Sequence, residues 1–321
     1  FGQLLALQGR TECALPYFNI ALNGAPEVDQ FWLSPLDVLL KLDRVEEASN
    51  LFLQARKNGA KGQRFNDFQT KINAISKLHP PVSETTLLLN IFMEGLFEKA
   101  ERKATELLKK FPFSTVVMNI LGPSLVKLEK NIEAAEIYKK LSCLRPESAE
   151  IFYNYGISLC RLDNVNEALA AFSKAIKIRP EYPEAYNVIG KVLYSNRQID
   201  LSLSFFQNAI KINPEYAEAY YNMGNIHLRK ADNVSAINSF KLAVEYQKEY
   251  AEAYNNLGSA YRERGCSNKA LTCFEKAAEL RPRSVEVLNN LGICYRDLGL
   301  LDLAKRSFQK AILINSNSGE T

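Results

Sequence analysis

The sequence predicts an all-α solenoid of stacked helical hairpins, and three observations predict it. A pattern of small and aromatic residues returns every 34 residues, nine times along the chain, with substitutions in the early copies. Each unit carries two apolar stripes at helical spacing. A proline often closes the unit, where the missing N–H ends a helix.

The best-preserved units are 149–182, 183–216, 217–250, 251–284 and 285–318, each beginning where the last ends. Gly156, Gly190, Gly224, Gly258 and Gly292 form one column. Ala168, Ala236, Ala270 and Ala304 form a second, from which Ser202 departs. Phe172, Phe206, Phe240, Phe274 and Phe308 form a third, and Ala175, Ala209, Ala243, Ala277 and Ala311 a fourth. A glycine inside a helix costs about 1 kcal/mol relative to alanine, so five in register need an offset. Close approach of two helices supplies it, because a side chain forced into such a contact costs roughly 1–3 kcal/mol through overpacking.

Within 251–284, Tyr254, Leu257 and Tyr261 line a first helix, Gly265 follows, and Ala270, Phe274 and Ala277 line a second. Pro282 stops that helix, as Pro146, Pro180 and Pro214 do in other units. Lys248 and Ser316 stand in the proline column of two units, so the stop there is weaker or differently made.

Two further units precede these, 115–148 with Gly122, Leu125, Ala134, Tyr138 and Pro146, and 81–114 with Ala100, Leu107 and Pro112. In the latter Leu88 takes the glycine position. The unit 29–62 has Trp32, Leu39, Ala48, Phe52 and Ala55, again with a leucine, Leu36, in place of glycine. Residues 1–28 fit the same frame through Gly2, Leu5, Gly9, Ala14, Phe18, Ala21 and Pro26. The period breaks once, at 63–80, where Phe65, Phe68, Ile72 and Ile75 make the stripe of an extra helix. His79-Pro80-Pro81 then forms a stiff connection. The expected organisation is a divergent front section, 1–80, an array of seven repeats, 81–318, and a tail, 319–321. The chain begins inside a first helix, as a fragment would. Its last unit lacks a polar capping helix, so either the natural protein continues or another chain covers this end, and self-association there is an expected possibility.

A solenoid of 321 residues needs no division into globular cores, because each repeat contacts its neighbours alone. A formal charge of +4, with dispersed basic residues, argues against a nucleic-acid partner. No apolar stretch approaches the roughly 18 residues of a membrane helix. Cys13, Cys143, Cys160, Cys266, Cys273 and Cys294 form neither a C-x-x-C pair nor a Cys/His cluster. They read as reduced structural thiols, which favours a reducing compartment and a cytoplasmic location.

These columns resemble the tetratricopeptide repeat, a helix-turn-helix unit of 34 residues, over nearly the whole chain. The segment Ala217-Glu218-Ala219-Tyr220-Tyr221-Asn222-Met223-Gly224-Asn225 is similar to the family pattern at almost every position. The resemblance implies a right-handed superhelix whose concave surface is lined by the first helices. It also implies a non-catalytic scaffold that binds a peptide or protein segment in the concave groove. Long arrays of this type resemble those preceding the glycosyltransferase domain of O-linked N-acetylglucosamine transferases. Similar bacterial arrays precede sulfotransferase or oxygenase domains, so the alternative is the substrate-recruiting arm of a larger enzyme.

No catalytic constellation stands out from the repeat frame. The two histidines are His79, beside the double proline, and His227, which reads as a packed core residue. Neither a nucleophile arrangement, a metal box nor a phosphate-cradling loop is present, so no cofactor or metal is expected. Asn154, Asn222, Asn256 and Asn290 recur at one inward position, interrupted by Val188. Such a ladder can hydrogen-bond an extended peptide backbone, since each amide carries donors and an acceptor. Glu150, Glu184, Glu218, Glu252 and Glu286 sit near helix starts, where the dipole favours them by roughly 0.3–1 kcal/mol each. Lys191, Arg229, Arg262 and Arg296 add charge further along the same helices without sharing a single column. These four and Asn225 are the expected partner-selective residues. Glutamates near the basic positions make the resemblance to carboxylate-clamp repeats poor.

Overall fold

The structure, a computed structural model, describes residues 2–7, 11–24, 29–41, 45–76 and 80–317. Among the described residues the regular elements are nineteen helices, without a strand. Gly9, Pro26, His79 and the tail lie outside the described residues, as does the side chain of Ile75. Chain contacts divide the protein into two compact units, 1–146 and 147–321. Residues 81–146 fall in the first.

The first unit comprises α1 (Gly2–Leu7), α2 (Thr11–Gly24), α3 (Asp29–Lys41), α4 (Val45–Lys57), α5 (Gln63–Ser76), α6 (Val82–Met93), α7 (Phe97–Lys110), α8 (Thr115–Lys127) and α9 (Asn131–Leu144). Trp32, Leu36, Leu39, Ala48, Phe52 and Ala55 pack into one core between α3 and α4, and Phe65 and Ile72 of α5 join it. Phe65 is 1 % exposed and its ring centroid lies 6.2 Å from that of Phe52. The inserted helix therefore covers an aromatic face that its preceding hairpin leaves open. In the 81–114 hairpin, Leu88 is fully buried, and the aromatic column holds the equally buried Ala104. Bulk has passed from the second helix to the first.

The second unit alternates first helices α10 (Ala149–Arg161), α12 (Pro183–Ser195), α14 (Ala217–Arg229), α16 (Ala251–Glu263) and α18 (Val285–Asp297) with second helices α11 (Val165–Ile178), α13 (Ile199–Ile212), α15 (Asn233–Tyr246), α17 (Ser267–Leu280) and α19 (Leu301–Asn317). Each hairpin closes on its glycine. A Cβ placed on Gly156, Gly190, Gly224, Gly258 or Gly292 would stand 2.6, 2.6, 2.5, 2.8 or 2.7 Å from Cε1 of the phenylalanine sixteen residues later. Each ring occupies the volume that the missing side chain leaves. Ser202 is tolerated in the alanine column because its buried hydroxyl donates to the Gly190 carbonyl at 2.8 Å.

At Lys248 the helix stop does not depend on proline. α15 ends in the same column as α11 and α13 although Lys248 replaces the ring, because Gln247 leaves the helix in extended backbone at φ −128°, ψ 92°. At Ser316 the helix instead runs on, and α19 reaches Asn317. Leu301, Ile312 and Leu313 of α19 are exposed.

The turn inside each hairpin from 81–114 onward is left-handed. Gly95, Glu129, Asp163, Arg197, Ala231, Gly265 and Gly299 all have positive φ at one-repeat spacing. The next amide reaches back five residues, as Asp232 N–H does to the His227 carbonyl at 2.9 Å. For an L-residue this conformation costs roughly 1–2 kcal/mol, against about 0.4–1 kcal/mol of extra unfolded-state entropy for glycine. Ala231→Gly, at φ 57°, is therefore expected to raise the urea midpoint of unfolding by a stabilisation of about 0.5–1 kcal/mol.

Candidate functional site

The first helices of the second unit repeat their positions every 34 residues, so every column becomes a row across the unit. Asn154, Asn222, Asn256 and Asn290 are half-buried. The last three bond backwards to the preceding repeat: Asn222 Nδ2 donates to Asn187 Oδ1 at 2.9 Å, Asn256 Nδ2 to Asn225 Oδ1 at 2.7 Å, and Asn290 Nδ2 to Asn255 Oδ1 at 2.9 Å. Asn255 passes its own proton on to Glu286 Oε1 at 2.9 Å. The ladder thus joins repeats side by side. Sequence reading found the row and missed its acceptors, because Asn187 and Asn255 stand one residue earlier, in a column otherwise held by Tyr153, Tyr221 and Asn289.

The basic residues have neighbours of their own. Lys191 Nζ meets Glu218 Oε1 at 3.0 Å. Arg229 Nη1 donates to Tyr194 Oη at 3.2 Å, with its guanidinium 5.5 Å from that ring's centroid. Arg296 Nη2 lies 3.0 Å from Asp297 Oδ1. Arg262 has no ion pair with any described residue. Exposed pairs of this kind are worth about 0–1 kcal/mol, so a ligand can exchange with them at little cost.

The glutamate row does more than face helix dipoles. Glu150 meets Arg179, Glu218 meets Lys191, Glu252 meets Arg281, and Glu286 meets Asn255. Beside it runs a row of phenols at repeat ends, Tyr182, Tyr216 and Tyr250. The Tyr182 and Tyr250 rings lie 5.1 and 4.9 Å from Tyr153 and Tyr221. Burial, with smaller contributions from Tyr182, Glu184 and Glu218, pushes the Tyr153 phenol up to about 12. Burial, followed by nearby glutamates, raises Tyr216 and Tyr250 further still. All three remain protonated at neutral pH, and Tyr216 Oη already donates to Glu218 Oε2 at 3.5 Å.

His227 is not the packed core residue its column suggests. Its side chain is 21 % exposed, with Nδ1 3.8 Å from Asp232 Oδ2. Asp232 caps α15 by accepting from Ser235 N–H at 3.1 Å, and hydrogen bonding to Ser235 holds its carboxyl below the usual range. The six thiols are free, Cys273 and Cys294 buried among them. Burial pushes the Cys273 thiol up to about 11, which suppresses its thiolate. Among the described residues no group of His, Cys, Asp or Glu is placed to hold a metal, and no helix is long and apolar enough to cross a membrane.

Three family models match the chain: a tetratricopeptide repeat model over residues 249–315, a TPR repeat model over 158–196 and 198–230, and a further tetratricopeptide repeat model over 217–250. Comparison with curated protein sequences gave no match. Among solved structures, a chain of the APC/C hetero-tetramer Cut9–Hcn1 is 17 % identical with a TM-score of 0.58, covering 95 % of this chain and 56 % of that one. MamA 41-end from Desulfovibrio magneticus RS-1 is 21 % identical with a TM-score of 0.48, covering 54 % of this chain and 97 % of that one. YrrB, a TPR protein with an unusual peptide-binding site, is 23 % identical with a TM-score of 0.44, covering 58 % and 95 %. The columns of the sequence, the glycine-closed hairpins they build and the matched family models agree: residues 158–315 are tetratricopeptide repeats.

Proposed function

We propose that the chain is a non-catalytic protein-interaction scaffold of the cytoplasm, and that the first-helix face of residues 149–318 holds an extended peptide or protein segment. The supporting observation is the contrast between that face and the hairpin interiors. The interiors are apolar and closed, whereas the face repeats amide, phenol and carboxylate groups once per repeat. An extended backbone presents donors and acceptors in regular order, and repeated polar rows on rigid helices suit it. Asn154, Asn222, Asn225, Asn256 and Asn290 supply the amides, and Arg262 supplies a cation without an internal partner.

Panning a displayed library of random linear peptides on the protein, followed by side-chain amide NMR with a selected peptide, tests the reading. The Asn225 and Asn256 side-chain amides and the Arg262 guanidinium are expected to shift on titration. Shifts confined to the second helices, or a library that yields no binder, would overturn it.

A further inference from the structure

The repeat at 149–182 contains a guanidinium held by that repeat's own carboxylate and ring, with its buried Nε left without a hydrogen bond. Arg179, at the end of α11, lies with its guanidinium 3.6 Å from the centroid of the Tyr182 ring and with Nη1 3.4 Å from Glu150 Oε1. A carboxylate below and an aromatic face beside it make a socket for a planar cation, combining a charge-assisted bond with cation–π contact.

One repeat later the socket loses its occupant. Glu184 and Tyr216 keep the carboxylate and the ring, while Asn213 stands in the arginine column, too short and uncharged to replace it. Further along, Glu218 is met by Lys191, and Glu252 by the returning Arg281. Glu184 is therefore the member of the glutamate row that has no partner among the described residues.

A second observation marks the same place. Asn187 occupies the position of Tyr153 one repeat on and is 1 % exposed. Its Oδ1 accepts from Asn222, while its buried Nδ2 approaches the half-buried Tyr216 phenol oxygen without completing a well-aligned bond, so its N–H groups are not fully satisfied. A buried donor without an acceptor carries a desolvation penalty, and a ligand carbonyl relieves it. Glu181 and Glu215, both exposed, stand three residues before Glu184 and one before Tyr216 in the sequence.

We propose that the Glu184–Tyr216 socket receives an arginine side chain from a basic segment of a partner protein, seated as Arg179 is seated on Glu150 and Tyr182. The adjoining backbone carbonyl of that segment accepts a hydrogen bond from Asn187 Nδ2. Arginine suits the socket better than lysine, because its planar fork both stacks on a ring and bonds a carboxylate. This inference rests on the groove reading above and names the partner's chemistry: a peptide segment carrying a positive charge.

The test uses the full chain and peptides selected from the random library. Arginine is expected at a fixed position among the binders, and changing it to alanine is expected to weaken binding about tenfold or more, the size of one bond to a charged group. Glu184→Gln should cause a similar loss, after which removing the peptide arginine costs little more. Asn213→Arg is the sharper variant, since it supplies the missing cation from within and gives up only the exposed bond that Asn213 Oδ1 accepts from Glu215 N–H at 3.1 Å. It is expected to fold, as the 149–182 repeat does with Arg179, and to weaken the peptide by about the same factor. Binders that shift the Asn225 and Asn256 amides yet ignore both variants within about twofold would overturn the socket and leave the groove standing. Binders that shift neither amide, or the absence of any binder, would overturn both.

Discussion

Replacing Gly224 by alanine is expected to destabilise the protein by about 1–3 kcal/mol, the usual penalty of an overpacked contact, even though alanine is the better helix former by about 1 kcal/mol. The new Cβ would stand 2.5 Å from Cε1 and 2.6 Å from Cδ1 of Phe240. That ring is fully buried among Ala236, Ile237 and Leu257, so it has no free space into which to turn. Phe240→Ala should cost more, about 3–5 kcal/mol, through lost burial and the cavity left behind. The 81–114 hairpin suggests a third variant, since Leu88 and Ala104 already exchange the two sizes. Gly224→Leu combined with Phe240→Ala moves bulk across the hairpin in the same direction. Its destabilisation is expected to fall short of the summed single effects by more than about 1 kcal/mol, as for residues in contact. Urea unfolding of the three single variants, the pair and the parent measures this coupling. Strict additivity would show that glycine and ring do not share one volume.

The glycine and phenylalanine columns were legible because the contact they make lies within one hairpin and sixteen residues. Each copy restates it, and Gly122 with Tyr138 restates it in the first unit. The left-handed turn was not legible, since Glu129, Asp163, Arg197 and Ala231 hide the positive φ that glycine reveals at Gly95, Gly265 and Gly299. Helix stops were legible through proline, and at Lys248 the stop is differently made, with extended backbone at Gln247 ending the helix. In the candidate site the gap was of another kind. The asparagine row could be read as a row, but its bonds run to Asn187, Asn225 and Asn255 in the preceding repeat. Those partners are 31–35 residues away, and only stacking brings them together. The same holds for Arg179, whose return onto Glu150 spans 29 residues. Spacing within a helix shows which residues share a face. Which groups on that face are already satisfied depends on the neighbouring repeat.

Changing Asn222, Asn256 and Asn290 together to alanine is accordingly expected to cost about 5–9 kcal/mol of stability before any ligand is added. Each substitution removes a hydrogen bond worth about 1 kcal/mol net. Two of them also strand acceptors deep in the fold, Asn187 at 1 % exposure and Asn255 at 3 %, and each orphaned polar atom adds about 1–3 kcal/mol. Asn225, half-buried, can turn to water and adds little. The three bonds cross three consecutive repeat interfaces, from 183–216 through to 285–318. In a solenoid, stability is close to a sum of repeat and interface terms, so weakening three interfaces should loosen the coupling between hairpins as well as lower the total. A urea transition that is both shifted and broadened, with native helix content retained in buffer, is the expected result. Destabilisation below about 1 kcal/mol would mean that the amides contribute little to stacking and are held for a ligand. A large effect makes the ladder a structural element first, and places recognition on the neighbouring groups that it holds in register.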